Sequence, residues 1–307
     1  MHGAVVAVKA LYSQLMTGNI DELKHEVSYN KLLPLVSLHG VLLMLCFSFL
    51  SFHLVCCQVG MIARARCPNV ISFYGVSHSQ GITYIVTEFC PLTLADEIVR
   101  PTFDGNTFAS VATQVLRGIA YLHANGIAHR DVKPPNVLLQ SDGTVKLCDL
   151  GMSKLTDRMM TMNAGIVGSP TYMPPESFSD LGSGPGTRTR SPDGKAWDMY
   201  SLGVLFWWMW HNQEPFGSMD NIFAIANIVQ KGARPAWVGY PVTGPDGYQN
   251  DVTEKKKDEE ARDGGTTTGV APRALVELVD CMWSHDPTQR PSVLITWICL
   301  LRLVLFP

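Results

Sequence analysis

The chain has 307 residues, 46% hydrophobic and 17% charged, which is typical of a globular protein with a sizeable core in one large domain or two lobes. This composition excludes a disordered chain, and a formal net charge of -3 gives no support to a nucleic-acid partner. Eight cysteines without paired metal spacing indicate no disulfide scaffold, and the first residues show no secretory signal, so we expect a cytoplasmic protein.

The first part of the chain predicts strands and one polar helix around an apolar segment. A strand at 5–8 leads into Lys9, and a polar helical stretch occupies 21–26. No Asp, Glu, Lys or Arg occurs at 32–59, a run longer than the roughly 20 residues that span a bilayer. Two β-rich runs separated by a turn then predict a hairpin, at 70–76 and 82–88.

The remainder predicts mainly helix. Apolar residues at helical spacing predict a helix over 106–125. These apolar residues are Phe108, Val111, Val115, Ile119 and Leu122. Short strands are expected around Asn136 and Asp149. Two polar or Gly-rich stretches predict solvent loops, at 177–195 and 239–272. The apolar stretch at 293–307 predicts a buried terminal helix rather than a membrane anchor.

The strongest motif is His129-Arg130-Asp131-Val132-Lys133-Pro134-Pro135-Asn136, followed by Asp149-Leu150-Gly151. Pro174-Pro175-Glu176, Asp198-Met199-Tyr200-Ser201-Leu202-Gly203 and Asp286-Pro287-Thr288-Gln289-Arg290-Pro291 come later. In this order the motifs resemble the eukaryotic protein kinase superfamily. The Lys133-Pro134 pair is similar to serine/threonine kinases, and Cys281-Met282-Trp283 is similar to the tyrosine-kinase-like branch. The resemblance implies an α+β, bilobal kinase fold, with a small β-rich lobe at 1–88 and a mainly helical lobe at 89–307.

The resemblance also implies transfer of the γ-phosphoryl group of ATP to serine or threonine hydroxyls of protein substrates in signalling. This reaction needs a positioned hydroxyl and neutralised phosphate charge rather than covalent chemistry by the protein. Asp131 would accept or orient the hydroxyl proton, and Lys133 would stabilise the transferring phosphoryl group. Asn136 and Asp149 would bind Mg²⁺, which prefers hard oxygen ligands.

Nucleotide-binding roles follow from the same resemblance. Lys9 would hold the ATP phosphates and pair with Glu26. The adenine ring would lie between the side chains of Ala7 and Leu138. It would also lie against the hinge backbone of Glu88 and Cys90.

Structural and regulatory roles complete the set implied by the resemblance. Asp198 would accept hydrogen bonds from the backbone of the His129–Arg130 turn, and Arg290 would pair with Glu176. Because the Arg130 guanidinium could pair with a phosphate, we expect activation-loop phosphorylation. The candidate phosphorylation sites are Thr156, Thr161 and Ser169.

The sequence departs from the kinase pattern in two places. The Gly-rich loop should precede Lys9, but only eight residues do so here, and we expect that the amino-terminal lobe is truncated. The apolar segment interrupts the helix that carries Glu26, and we interpret 27–58 as a translated intron because Glu-Val-Ser at 26–28 can be encoded by a splice-donor sequence. Two alternatives stay open: a catalytically impaired pseudokinase scaffold, and a membrane-tethered kinase anchored through 32–59.

Overall fold

The structure is a computed structural model that describes residues 6–11, 66–79, 82–100, 103–150, 170–178, 193–217, 221–240 and 270–305. These residues belong to two compact units. The first unit contains the described residues up to Cys90 except the short turn Cys67–Val70, and the second contains that turn and everything from Pro91 onward. The first is built of strands and the second mainly of helices, so the predicted α+β class is confirmed.

Three antiparallel strands form the sheet of the first unit, in the order β1-β3-β2. They are β1 (Val6–Leu11), β2 (Phe73–Ser79) and β3 (Ile82–Glu88). The β-branched and aromatic side chains of β3 favour a pleated, half-buried strand. The backbone of Lys9 pairs with Ile85 on this central strand.

The predicted hairpin of β2 and β3 is confirmed, but β2 begins at Phe73 rather than at Val70. The backbone N–H of Val70 donates to the Cys67 carbonyl at 3.1 Å and closes a turn. Val70 then forms a parallel bridge with Leu147 of the second unit's own sheet. Val70 therefore pairs with Leu147 rather than within the hairpin, and periodicity along the chain cannot predict such a distant partner.

The second unit opens with a small antiparallel sheet, ordered β4-β5-β6. Its strands are β4 (Leu92–Thr93), β5 (Val137–Leu139) and β6 (Val145–Leu147). The short strands expected around Asn136 and Asp149 are thus present: β5 starts directly after Asn136, and β6 ends two residues before Asp149.

Two helices lie between β4 and β5 along the chain, α1 (Leu94–Ile98) and α2 (Gly105–Ala124). The side chain of Asp104 caps α2 by accepting from the Thr107 N–H at 2.8 Å. Each member of the predicted apolar stripe of α2 is buried. The sequence prediction of this helix is therefore confirmed to within one residue at each end.

The helix α3 (Gly194–His211) forms the centre of the second unit. It is buried along almost its whole length, as expected of a helix that is apolar on all sides. It packs against α2 and against α5 (Arg273–Met282), while α4 (Ile222–Gln230) contacts the 3-10 turn Pro175–Phe178. Among the helices within the described ranges, none has the length and apolar character needed to cross a bilayer.

Three sequence expectations differ from the structure at their described ends. Ser177 and Phe178 of the predicted 177–195 loop are buried in a 3-10 turn, and Gly194 already begins α3. At the 239–272 loop, Ala271 is buried and its carbonyl accepts from the Tyr240 hydroxyl at 2.8 Å. The terminal helix α6 (Val293–Leu305) is not buried all round. It packs on α2 with one face, while its exposed apolar residues are Leu294, Ile295, Ile298 and Leu301.

Candidate active site

The site is built around the His129–Arg130 turn, whose backbone is bound by the buried Asp198 carboxylate. Asp198 Oδ2 accepts from the His129 N–H at 2.8 Å, and Oδ1 accepts from the Arg130 N–H at 2.6 Å. Asp198 has no exposed surface, so its charge needs these donors. Arg130 lies in the left-handed region with φ of 62°, a conformation that costs a non-glycine residue energy and persists where surrounding contacts impose it.

Close approach of α3 to this turn depends on Gly194. A Cβ atom at Gly194 would lie 2.7 Å from the Ala128 Cβ and 2.8 Å from the Arg130 Nε. Both distances are shorter than van der Waals contact. Glycine therefore lets the first turn of α3 approach the segment that leads into the site, and Asp198 follows one turn later on the same helix.

Asp131, Lys133 and Asn136 form a compact polar cluster after the turn. The Lys133 Nζ lies 3.0 Å from Asp131 Oδ2. The Asn136 Nδ2 donates to the same oxygen at 2.7 Å and to the Asp131 carbonyl at 2.8 Å. The Asp131 N–H in turn donates to the Nδ1 of the fully buried His129 at 3.3 Å. One carboxylate oxygen of Asp131 is thereby held between an ammonium and an amide.

Asp149 and Asn136 are brought together by the β5–β6 pair. The N–H of Cys148 donates to the Asn136 carbonyl at 3.0 Å, which places Asp149 one residue beyond this contact. Asp149 has φ of 62°, and its neighbour Leu150 is fully buried. A carboxylate and an amide oxygen are donors that suit Mg²⁺ when phosphate oxygens and water supply the remaining ligands. Within the described part of the chain no three His, Cys, Asp or Glu side chains group as a metal cage.

Arg290 and Glu176 form a bidentate pair in the second unit. Arg290 Nη1 and Nη2 donate to the two Glu176 carboxylate oxygens at 2.6 and 2.8 Å. The same guanidinium donates to the Ala196 carbonyl at 3.0 Å and to the Ser284 carbonyl at 2.9 Å, and it lies 5.2 Å from the Tyr200 ring centroid. Burial raises the pKa of Tyr200, so this ring stays neutral beneath the cation.

The predicted nucleotide-binding residues are distributed over both units. Ala7 and the backbone of Lys9 lie in β1. Glu88 ends β3 and is buried, and its Oε1 accepts from the Ser72 N–H at 2.6 Å. Cys90 lies half-buried after β3, and Leu138 lies half-buried in β5 of the second unit.

Several sequence predictions fall outside the described residues. They are the Lys9 side chain, Glu26, the segment 27–58, and the candidate phosphorylation sites Thr156, Thr161 and Ser169. Their predicted roles stay predictions.

Sequence reasoning missed His123, which is part of the support of the turn. His123 Nε2 lies 2.7 Å from Asp198 Oδ2, and both side chains are buried. The Asp198 carboxylate thus has three nitrogen neighbours, of which the sequence indicated two. The signal in the sequence was a histidine in the last turn of α2, six residues before His129, but a histidine on an apolar helix face indicates no partner by itself.

Comparisons with known proteins show which family the chain is similar to. A family model described as protein kinase domain matches residues 55–299. The chain is 32% identical over 244 residues to mitogen-activated protein kinase kinase kinase 7 of Drosophila melanogaster, covering 77% of this chain and 30% of that protein. It is 29% identical over 238 residues to serine/threonine-protein kinase STY46 of Arabidopsis thaliana, covering 76% and 34%. The chain thus spans about a third of the length of these relatives.

Proposed function

The chain belongs to the protein kinase family, because the family model covers most of its length, and we propose that it transfers the γ-phosphoryl group of ATP to serine or threonine hydroxyls of protein substrates. The observation that carries this proposal is the cluster of Asp131, Lys133 and Asn136, held under the Asp198-bound turn. The names of the relatives, which include several serine/threonine kinases, support the choice of acceptor.

Asp131 is the proposed group that takes the hydroxyl proton. Its Oδ2 is occupied by Lys133 and Asn136, so Oδ1 is the atom that would face the substrate hydroxyl. The hydroxyl oxygen forms a bond to the γ-phosphorus while the bond from that phosphorus to the bridging oxygen breaks, and ADP leaves. The proton passes to Asp131, and Lys133 neutralises charge on the transferring group.

Asn136 and Asp149 are the proposed Mg²⁺ ligands, through an amide oxygen and a carboxylate. Because both Asn136 Nδ2 contacts go to Asp131, the amide group is oriented by the same residue that would orient the substrate. Bound Mg²⁺ would neutralise the phosphate oxygens of ATP. In the first unit, Lys9, Ala7, Glu88 and Cys90 are proposed to bind the nucleotide, with Glu26 as the partner of Lys9.

We further propose that the two units are the amino-terminal and carboxyl-terminal lobes of the kinase and that 27–58 is a translated intron. The proposal rests on the interruption of the predicted Glu26 helix by this largely uncharged segment, whose last four residues already fall within the family match at 55–299. Sequencing the mature transcript across this region tests the proposal, and a message that retains all of these codons would refute it. Membrane fractionation separates the tethered alternative from a cytosolic enzyme.

The phosphotransfer proposal is tested with radiolabelled ATP and a general acceptor protein. The chain, and the chain lacking 27–58, are compared with Asp131→Asn and with the matched control Asp142→Asn. Asp142 is an exposed turn residue that accepts from the Thr144 N–H, a bond that asparagine can also accept. We expect Asp131→Asn to lose about 10²-fold or more in rate and Asp142→Asn to keep the parent rate.

Phosphoamino-acid analysis of the labelled acceptor distinguishes serine and threonine from tyrosine. Labelling of the acceptor by both parent chains at only the level of Asp131→Asn would overturn the proposal and favour a binding scaffold. Labelling mainly on tyrosine would leave the kinase activity in place and overturn the acceptor assignment.

A further inference from the structure

The strand β6 ends two residues before Asp149, and within the described part of the chain its second edge meets no strand, only the isolated parallel bridge between Val70 and Leu147. Its other edge pairs with β5 in three residue pairs. The backbone N–H groups of Val145 and Leu147 both donate to atoms outside this sheet. An edge strand of three residues needs such partners to keep its register, because water otherwise forms hydrogen bonds with its unpaired N–H and C=O groups.

Two polar side chains and one carbonyl occupy the open edge of β6. The Gln114 Oε1 accepts from the Val145 N–H at 2.9 Å, and the Asn69 Nδ2 donates to the Val145 carbonyl at 2.9 Å. The Asn69 carbonyl accepts from the Leu147 N–H at 3.0 Å. Gln114 and Asn69, together with the bridging Val70, therefore take the place of a neighbouring strand along β6.

Gln114 is the residue that joins these contacts. Its Oε1 also accepts from the Asn69 Nδ2 at 3.1 Å, and its Nε2 donates to the Gly143 carbonyl at 3.2 Å. One amide thus binds the Asn69 turn, the first residue of β6 and the turn before it. Gly118 lies four residues later on the same face of α2, where a Cβ would be 2.8 Å from the Asn69 carbonyl.

We propose that Gln114 is a positioning residue for Asp149, acting through the edge of β6. This inference rests on the proposed function, in which Asp149 binds the metal of the nucleotide complex. β6 ends at Leu147, so Asp149 follows after a single intervening residue. Slippage or fraying of the strand would therefore displace the carboxylate relative to Asn136, whereas a strand held on both edges fixes it.

The experiment compares three variants of the full chain. Gln114→Met keeps the volume and flexibility of the side chain and removes every hydrogen bond of the amide. Gln114→Glu keeps an oxygen that can accept from the Val145 N–H. Gln230→Met is the matched control, because it makes the same chemical change at an exposed residue of α4.

Two readouts are measured, and neither depends on turnover. Hydrogen–deuterium exchange of a peptide covering 143–149 reports the opening of β6. Binding of Mn²⁺ in the presence of ADP, followed by the paramagnetic signal of free Mn²⁺, reports the metal site. We expect Gln114→Met to speed exchange and to weaken Mn²⁺ binding, each about fivefold. Gln114→Glu should recover most of both losses, and Gln230→Met should change neither.

Unchanged exchange in Gln114→Met would overturn the proposal, since the strand would then not depend on this residue. Faster exchange with unchanged Mn²⁺ affinity would also overturn it, because the strand would then not set the metal site. A parent chain that binds no Mn²⁺ with ADP would instead contradict the proposed function itself. The exchange measurement would in that case still decide whether Gln114 holds β6.

Discussion

Replacing Asp198 by asparagine tests the support of the proposed catalytic turn. In the structure the two carboxylate oxygens accept from the backbone N–H groups of His129 and Arg130 at 2.8 and 2.6 Å, and His123 lies 2.7 Å away. Asparagine can present its oxygen to only one of the two N–H groups. Its own NH₂ then faces the other N–H, and a buried donor is left without an acceptor.

The expected cost is the sum of two losses. A hydrogen bond to a charged group contributes about 1.5–3 kcal/mol, and an unsatisfied buried donor costs about 1–3 kcal/mol. We therefore expect Asp198→Asn to lower the free energy of unfolding by roughly 2.5–6 kcal/mol, a large fraction of the stability of a typical domain.

Urea unfolding followed by tryptophan fluorescence measures this change. Asp193→Asn is the control on the same helix, because asparagine caps a helix as well as aspartate does, and it should leave the unfolding midpoint unchanged. A loss of less than about 1 kcal/mol in Asp198→Asn would refute the reasoning, since it would mean that the turn does not depend on the carboxylate.

Three further predictions concern the packing and regulation of the second unit. Glu176→Gln should lower the free energy of unfolding by about 3–5 kcal/mol in urea titration, because it leaves the buried Arg290 without its anionic partner, and a loss below about 1 kcal/mol would contradict this. Gly118→Ala should also destabilise the protein in the same titration. Its Cβ would meet Leu147 Cδ1 at 2.7 Å, and overpacking of about 1–3 kcal/mol exceeds the gain of about 1 kcal/mol in helix propensity. A stabilised Gly118→Ala variant would contradict the close packing. Alanine at all three candidate phosphorylation sites should lower both phosphate content by mass spectrometry and kinase activity, and a variant unchanged in both would refute regulation through Arg130. The three sites are Thr156, Thr161 and Ser169.

Local patterns in the sequence predicted the elements well where one periodicity governs them. The apolar spacing of α2 placed its buried face correctly, since the five predicted residues are all buried. The β-branched run of β3 placed that strand to the residue. The predictions failed at three residues. Val70, predicted to begin the first hairpin strand, forms an isolated bridge. Ser177 and Phe178, predicted to lie in a solvent loop, are buried in a 3-10 turn. Val70 bridges Leu147, and the turn Pro175–Phe178 contacts α4, so both segments pack against parts of the chain far from them in sequence.

The sequence by itself determined the kinase family and the α+β class, and it predicted which residues carry the chemistry, because the motifs that specify them are contiguous and ordered along the chain. The motifs also predicted the support from Asp198, but only the tertiary structure decided the roles of His123, Asn69 and Gln114. His123 meets Asp198 across 75 positions, and Asn69 meets Gln114 across 45. Polar side chains such as these have many possible partners, and their choice is made by the packing of α2 against α3 and β6 rather than by any local preference.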